Sequence, residues 1–350
     1  MNNTMTIQKT GKQILIFLLF LFLIFFCIMR GKDVGQIVDI AASACFPSIV
    51  LGLLMAGTFH VCEGLNLRLL LKTMGHPVSF VQGMKYAYTG FFFSSITPSS
   101  TGGQPMQLYM MKKDNIELSH GSLALLMELA GFQAVVFLFE ILTVILVPVM
   151  GIHVPVSIKL LAAAGFIMNA VFVLFLLTVI FSEKMGKKLF RLAERVIPKL
   201  PVVKEERKQS WIEKLASGLD EFHACSVLMR QHKKEIAAML VISTIQIVCW
   251  FSVPYMVYMA LGYHGVPFVQ MFILQVLVYM AGALLPLPGA MGISEFAFIQ
   301  LFGSIYSGNS MTAAVLLSRG ISFYFLLALS GIMLMVIFLL LRRKEGKTRL

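Results

Sequence analysis

Long apolar runs separated by short polar connections set the pattern of this chain. A helix needs about 20 consecutive apolar residues to cross a bilayer. Runs of that kind lie at 13–30, 47–70, 118–149, 160–181, 235–262 and 311–341, and each predicts a spanning helix. Two further apolar stretches, 79–112 and 267–305, are interrupted midway by Pro and Gly. Pro removes an N–H and clashes with the preceding turn, so neither stretch can be one straight helix. They predict broken helices, either re-entrant hairpins or pairs of crossings. The expected fold class is all-α: a polytopic helical membrane protein with six crossings and two hairpins, or up to ten crossings if each hairpin spans.

Composition supports the membrane reading. The 350 residues are 58% hydrophobic and 13% charged, with a mean hydropathy of +0.84, against about 25% charged in soluble domains. The net charge of +12 therefore reports loops facing anionic lipid rather than nucleic-acid binding. Thirteen Lys and Arg fall between Ser182 and Lys234, and five more follow Leu341. The opposite connections hold only Arg30, Lys32 and Lys159. Basic loops stay on the cytoplasmic side, so a multi-pass protein of a bacterial-type plasma membrane is expected, with both termini cytoplasmic. Residues 1–350 read as one integral membrane domain, with 182–234 a cytoplasmic amphipathic loop between its halves. Within that loop, Leu189, Leu192, Val196 and Ile197 share one helical face, as do Ile212, Leu215, Leu219 and Phe222 further on. Both segments predict interfacial helices. The five cysteines are scattered, with no C-x-x-C pair, and indicate neither a disulfide framework nor a zinc site.

The two interrupted stretches follow one order. Each begins with Phe-Val-Gln (Phe80 to Gln82, Phe268 to Gln270), breaks at Pro-x-x-x-Gly (Pro98 to Gly102, Pro288 to Gly292) and restarts as a short helix. The offsets are 188 for Phe-Val-Gln, 190 for the break and 191 from Glu128 to Arg319, which suggests an internal duplication. Three crossings lie between the copies, and an odd number inverts one relative to the other. Inverted repeats with discontinuous helices are a transporter architecture. A broken helix leaves N–H groups and a positive dipole end inside the bilayer, suited to an anionic headgroup. Ser99, Ser100 and Thr101 offer hydroxyl donors, Gly102 and Gly103 would let a headgroup approach the backbone, and Gln104 follows them. Pro288, Gly289 and Gly292 form the second break. Kinking of packed helices by the same residues is the plainer reading.

Charges within apolar segments cost at least about 2.5 kcal/mol each near a helix centre and normally face a cavity or a partner. Glu63, Arg68, Lys85, Glu128, Glu140, Glu295 and Arg319 are of this kind. Glu128 and Arg319 hold corresponding places with opposite sign, so they are expected to meet across a pseudo-axis, as a substrate site or as a structural ion pair. Glu295 stands near the start of a restarting helix, where an acid caps the dipole. His60 and Glu63 share a helix face, but one such pair supplies only half of a typical metal site. No metal and no cofactor is expected, and no nucleotide or hydrolase motif is present in the sequence.

The run TPSSTGGQPMQLYMMKKDNIE, the later LPLPGAMGISEFAF and the span around Arg319 together resemble the membrane domain of lysylphosphatidylglycerol synthase/flippase proteins and their stand-alone relatives of the UPF0104 group. The likeness extends from about residue 12 to 341, with Ala290 standing where many relatives carry a second Gly. It implies a lipid translocase (flippase) for an anionic or aminoacylated phospholipid, such as lysylphosphatidylglycerol. In two-domain members a soluble domain transfers lysine from lysyl-tRNA to the lipid; here the chain closes on RRKEGKTRL, so that domain is expected to be missing. A separate lipid-modifying enzyme would then be a partner. The enzymatic alternative is a membrane-embedded phosphatidylglycerol lysyltransferase, or a subunit of one, with Glu128 or Glu295 as base. It would need a second substrate site. A scaffold that recruits partners through the cytoplasmic loop would leave the intramembrane charges without a role.

Overall fold

The computed structural model describes residues 33–97, 100–182, 221–283 and 288–347, with Lys184, Lys188 and Arg191 as isolated positions. The first expected crossing and most of the two amphipathic loop segments lie outside these residues. Among the described residues the chain is helical and has no strand, and five helical units are long and apolar enough to cross a bilayer. It is a polytopic all-α membrane protein.

Helix α1 (Val34–Ala42) is capped by the Asp33 carboxylate, which accepts from the Gln36 N–H. The first described crossing is α2 (Phe46–Thr73), whose 28 residues reach about 42 Å. Helices α3 (Phe80–Ile96) and α4 (Gly103–Lys113) form the first interrupted stretch, followed by the crossings α5 (Leu118–Val149) and α6 (Val156–Phe181). After a helical segment at 221–231 the chain crosses again as α7 (Lys233–Phe251) and α8 (Val253–Ala260), kinked where Pro254 withholds an N–H. Helices α9 (Phe268–Gly282) and α10 (Ile293–Phe302) form the second interrupted stretch. The last crossing runs through α11 (Gly308–Arg319), a π-helical segment (Gly320–Phe325) and α12 (Leu326–Lys347).

Both interrupted stretches are hairpins. Along the first, Lys85 pairs with Asp114 near the open end, Gly90 faces Gln107, and Ser94 faces Gly103 near the tip. Such pairing requires antiparallel arms, so α3 and α4 enter and leave at the same end of the bundle. In the second, Gly282 lies beside Ser294 at the tip, while Tyr258 holds the open ends together. The Tyr258 hydroxyl accepts from the Val266 N–H at 3.0 Å, and its ring lies 6.2 Å from that of Tyr306.

The hairpins enter from opposite ends. Helix α2 begins beside the end of α8, where the Cys45 N–H donates to the Ala260 carbonyl. It finishes at the mouth of the first hairpin, where the Arg68 Nε donates to the Val78 carbonyl. Three crossings then separate the hairpins, as the duplication requires. At α3 the arm is about 25 Å long and at α9 about 23 Å, both shorter than α2, so the tips end inside the bundle. There they meet: Ile96 of the first, Met291 of the second and Phe323 of the π-helical segment form one apolar cluster.

Backbones approach closely where glycines allow it, the usual device for packing helices in lipid. A Cβ on Gly83 would come within 2.5 Å of the Gly64 carbonyl, and one on Gly165 within 2.0 Å of the Met280 carbonyl. Lipid is the solvent for the outer faces. Val156, Leu160, Ile167, Val171 and Leu174 make an exposed stripe along α6, and Ile332, Met335 and Leu339 another along α12. The end carrying Lys72, Lys112, Lys113, Arg230, Lys233 and Lys234 is the basic one; the opposite end, among the described residues, carries Asp33, Asp39 and Lys159. That asymmetry is the one read from the sequence.

Candidate functional site

At the first tip, Pro98 and Ser99 lie outside the described residues. Ser100 and Thr101 are exposed, and Ser100 holds the left-handed conformation with φ of 54°. Its carbonyl accepts from the Ser94 hydroxyl at 3.3 Å. Gly102 caps α4, and its N–H donates to the Thr97 hydroxyl oxygen at 2.9 Å. Gln104 is half-buried behind it.

The structure gives Gly102 and Gly103 a neighbour other than a headgroup. A Cβ on Gly102 would fall 2.7 Å from the Thr97 methyl, and one on Gly103 would fall 2.1 Å from the Ser94 Oγ and 2.7 Å from the Gly90 carbonyl. Both glycines are spent on the contact between the arms. Gly103→Ala is therefore expected to push α4 from α3 and to cost about 1 to 3 kcal/mol, as overpacking does. Ser94→Ala introduced with it should recover only part of the lost thermal stability, because the Gly90 carbonyl still obstructs. Full recovery would show that the hydroxyl alone is in the way.

At the second tip, Gly289, Ala290 and Gly292 all hold positive φ, at 59°, 50° and 88°. Ala290 does so with a Cβ, at a cost of roughly 1 to 2 kcal/mol, where the sequence reading placed a glycine in relatives. Two charged side chains fix this turn. The Glu295 carboxylate accepts from the Gly292 N–H at 2.5 Å through Oε2 and from the Arg319 Nε at 2.7 Å through Oε1. Arg319 also donates to the Gly289 carbonyl at 2.8 Å, with its guanidinium 4.9 Å from the centre of the Phe323 ring. The site of Arg319 is marked by the change of helix pitch that follows it, a feature common at functional positions.

Arg319 and Glu128 do not form the expected pair. The partner of Arg319 is Glu295, because α10 and α11 are joined by a short turn that brings them side by side. Glu128, half-buried on α5, instead lies close enough to Glu63 of α2 to act on it electrostatically. Glu63 Oε1 accepts from Gln107 Nε2 at 2.8 Å, and Gln107 also donates to the Tyr86 carbonyl at 3.2 Å. Two carboxyl groups and an amide thus gather against the first hairpin, and a carboxylate and a guanidinium against the second. Glu295 has both oxygens engaged, which leaves it unsuited to the role of a free base.

Sequence reasoning singled out Glu63 as one of several buried charges and as the helix-face neighbour of His60, and passed over Gln107. The available signal was the α4 face: Gly103, Gln107 and Met110 are all buried and follow at helical spacing. His60 goes a different way from Glu63. Its Nε2 lies 3.1 Å from the Ser330 hydroxyl, tying α2 to α12, and its ring packs on Tyr88 and Phe91.

Glu140 of α5 is fully buried, and its Oε2 accepts from Asn169 Nδ2 of α6 at 3.1 Å. The other Glu140 oxygen and Asn169 Oδ1 are buried without a hydrogen-bond partner. This pair is short of one donor. Glu140→Gln supplies an N–H and is expected to leave thermal stability unchanged or raised, whereas Glu140→Ala should cost about 1 to 3 kcal/mol by stranding the amide. A loss from Gln equal to that from Ala would mean that the carboxyl group makes a contact of another kind.

Paired re-entrant hairpins, inserted from opposite ends and carrying buried charges at their meeting point, place the protein in the class of polytopic membrane proteins with discontinuous helices. The family described as "Lysylphosphatidylglycerol synthase TM region" matches residues 13–330. The chain belongs to that family. It is also similar to a "UPF0104 membrane protein" of Archaeoglobus fulgidus, with 25% identity over 281 residues, which covers 79% of this chain and 82% of that relative.

Proposed function

We propose that this protein is a lipid translocase that moves an anionic or aminoacylated phospholipid, such as lysylphosphatidylglycerol, between the leaflets. The observation that carries the reading is the meeting of two oppositely inserted hairpin tips inside the bundle. Broken helices are tolerated at such depth where polar groups or a ligand satisfy the backbone. Each tip can then serve as a gate toward its own side. The Glu63, Gln107 and Glu128 group suits a cationic aminoacyl headgroup, while the exposed Ser100 and Thr101 offer hydroxyls to a phosphate. The basic end would face the anionic leaflet of the cell membrane, and a lysylated lipid would come from a lipid-modifying enzyme.

The test is reconstitution into vesicles with a panel of labelled lipids, phosphatidylglycerol and lysylphosphatidylglycerol among them, read by leaflet accessibility. Faster exchange of at least one of these lipids than in protein-free vesicles is expected. Absence of exchange for every lipid would end the translocase reading. Incorporation of lysine from lysyl-tRNA into phosphatidylglycerol by the same vesicles would put a transferase in its place.

A further inference from the structure

At the basic end of the bundle, outside the hairpin tips, three segments bring four side chains of metal-binding type together. His76 lies in the turn after α2, Glu117 and His120 open α5, and Glu221 begins the helical segment 221–231. One nitrogen or oxygen from each of His76, Glu117 and His120 can be chosen so that all lie within 4.8 Å of one another. The His120 Nδ1 is 2.9 Å from Glu117 Oε2 and 3.5 Å from Glu221 Oε1, and the His76 and His120 rings stand 4.7 Å apart.

Two further observations point to a ligand here. The His120 Nδ1 is buried and makes no hydrogen bond of proper geometry, although it is aimed into the group. In addition, the Glu117 and Glu221 carboxylates converge on that one nitrogen, at 2.9 and 3.5 Å. Like charges at that range require a proton or a cation between them. Glu221 is already oriented for the purpose: the Ser119 hydroxyl donates to its Oε2, leaving Oε1 turned toward His120.

We propose that His76, Glu117, His120 and Glu221 form a binding site for a first-row divalent transition ion of the Zn2+ type. Two imidazoles with carboxylates suit Zn2+, whereas Ca2+ and Mg2+ prefer all-oxygen sets. Ligand atoms around tetrahedral Zn2+ stand about 3.4 Å apart, and the contacts of His120 Nδ1 at 2.9 and 3.5 Å are already of that order. The ion would staple the turn after α2 and the start of α5 to the helical segment emerging from the long connection. It would thereby fix that connection to the mouth of the first hairpin, where Lys85 pairs with Asp114.

The experiment is isothermal titration of the chelator-treated full-length protein in detergent with Zn2+, comparing wild type with the His76→Ala/His120→Ala variant and with Glu221→Gln. One equivalent of micromolar or tighter Zn2+ is expected in the wild type. It should be lost in the double variant and weakened at least tenfold in Glu221→Gln. The cysteines are the same in all three proteins, so adventitious thiol binding cancels. Zn2+ should also raise the unfolding temperature of the wild type and not that of the double variant. Glu221→Gln also covers the case in which the double variant fails to fold, since its one-atom change leaves the packing intact. Equal binding by wild type and Glu221→Gln, or by wild type and a folded double variant, would place the ion elsewhere. No binding at micromolar Zn2+ would reduce the group to His–Glu ion pairs.

Discussion

Arg319→Gln should lower stability by about 3 to 5 kcal/mol, the range for removing one partner from a buried ion pair. The Glu295 it leaves behind is only 4% exposed and keeps a single donor, the Gly292 N–H. The Gly289 carbonyl loses its donor in the same substitution. Glu295→Gln should be costly as well, because the guanidinium is then uncompensated. The two changes together are expected to cost less than their sum, since both charges disappear. Thermal unfolding of the four proteins in detergent closes the cycle. Strict additivity would show that Arg319 and Glu295 do not depend on each other. Lipid exchange by a double variant of recovered stability is the second readout: retained exchange leaves the pair with packing alone, and lost exchange places its charges in the translocation path.

Glu128→Gln is expected to separate stability from activity. Glu128 and Glu63 repel in a low-dielectric setting, and relief of that repulsion should raise stability by something of the order of 1 kcal/mol. Translocation of a cationic aminoacyl lipid should fall at the same time, because the group that attracts the headgroup is halved. Measured together, a higher unfolding temperature and slower exchange of lysylphosphatidylglycerol are expected. A loss of stability would show that Glu128 has a protein partner that holds it as an anion. An unchanged exchange rate would remove Glu128 from the site.

Among the described residues, the sequence by itself determined five of the six expected crossings, the two interrupted stretches and the charge asymmetry. These depend on run length, on Pro and Gly, and on the cost of moving Lys and Arg through lipid, all of them local quantities. It left open whether the interrupted stretches span or return. That depends on contacts such as Lys85 with Asp114 and Gly90 with Gln107, which only folding creates. The offset of 191 matched Glu128 with Arg319 by position. Tertiary structure gave Arg319 to Glu295 instead, since a neighbouring helix joined by a short turn is nearer than one across the bundle. Gln107 is an unremarkable letter in the sequence, and its weight comes from Glu63 lying opposite. Of His76, Glu117, His120 and Glu221, only Glu117 and His120 stand at a helix-face spacing, because a site assembled from three separate segments has its geometry in the packing of helix ends and not in the order of the chain.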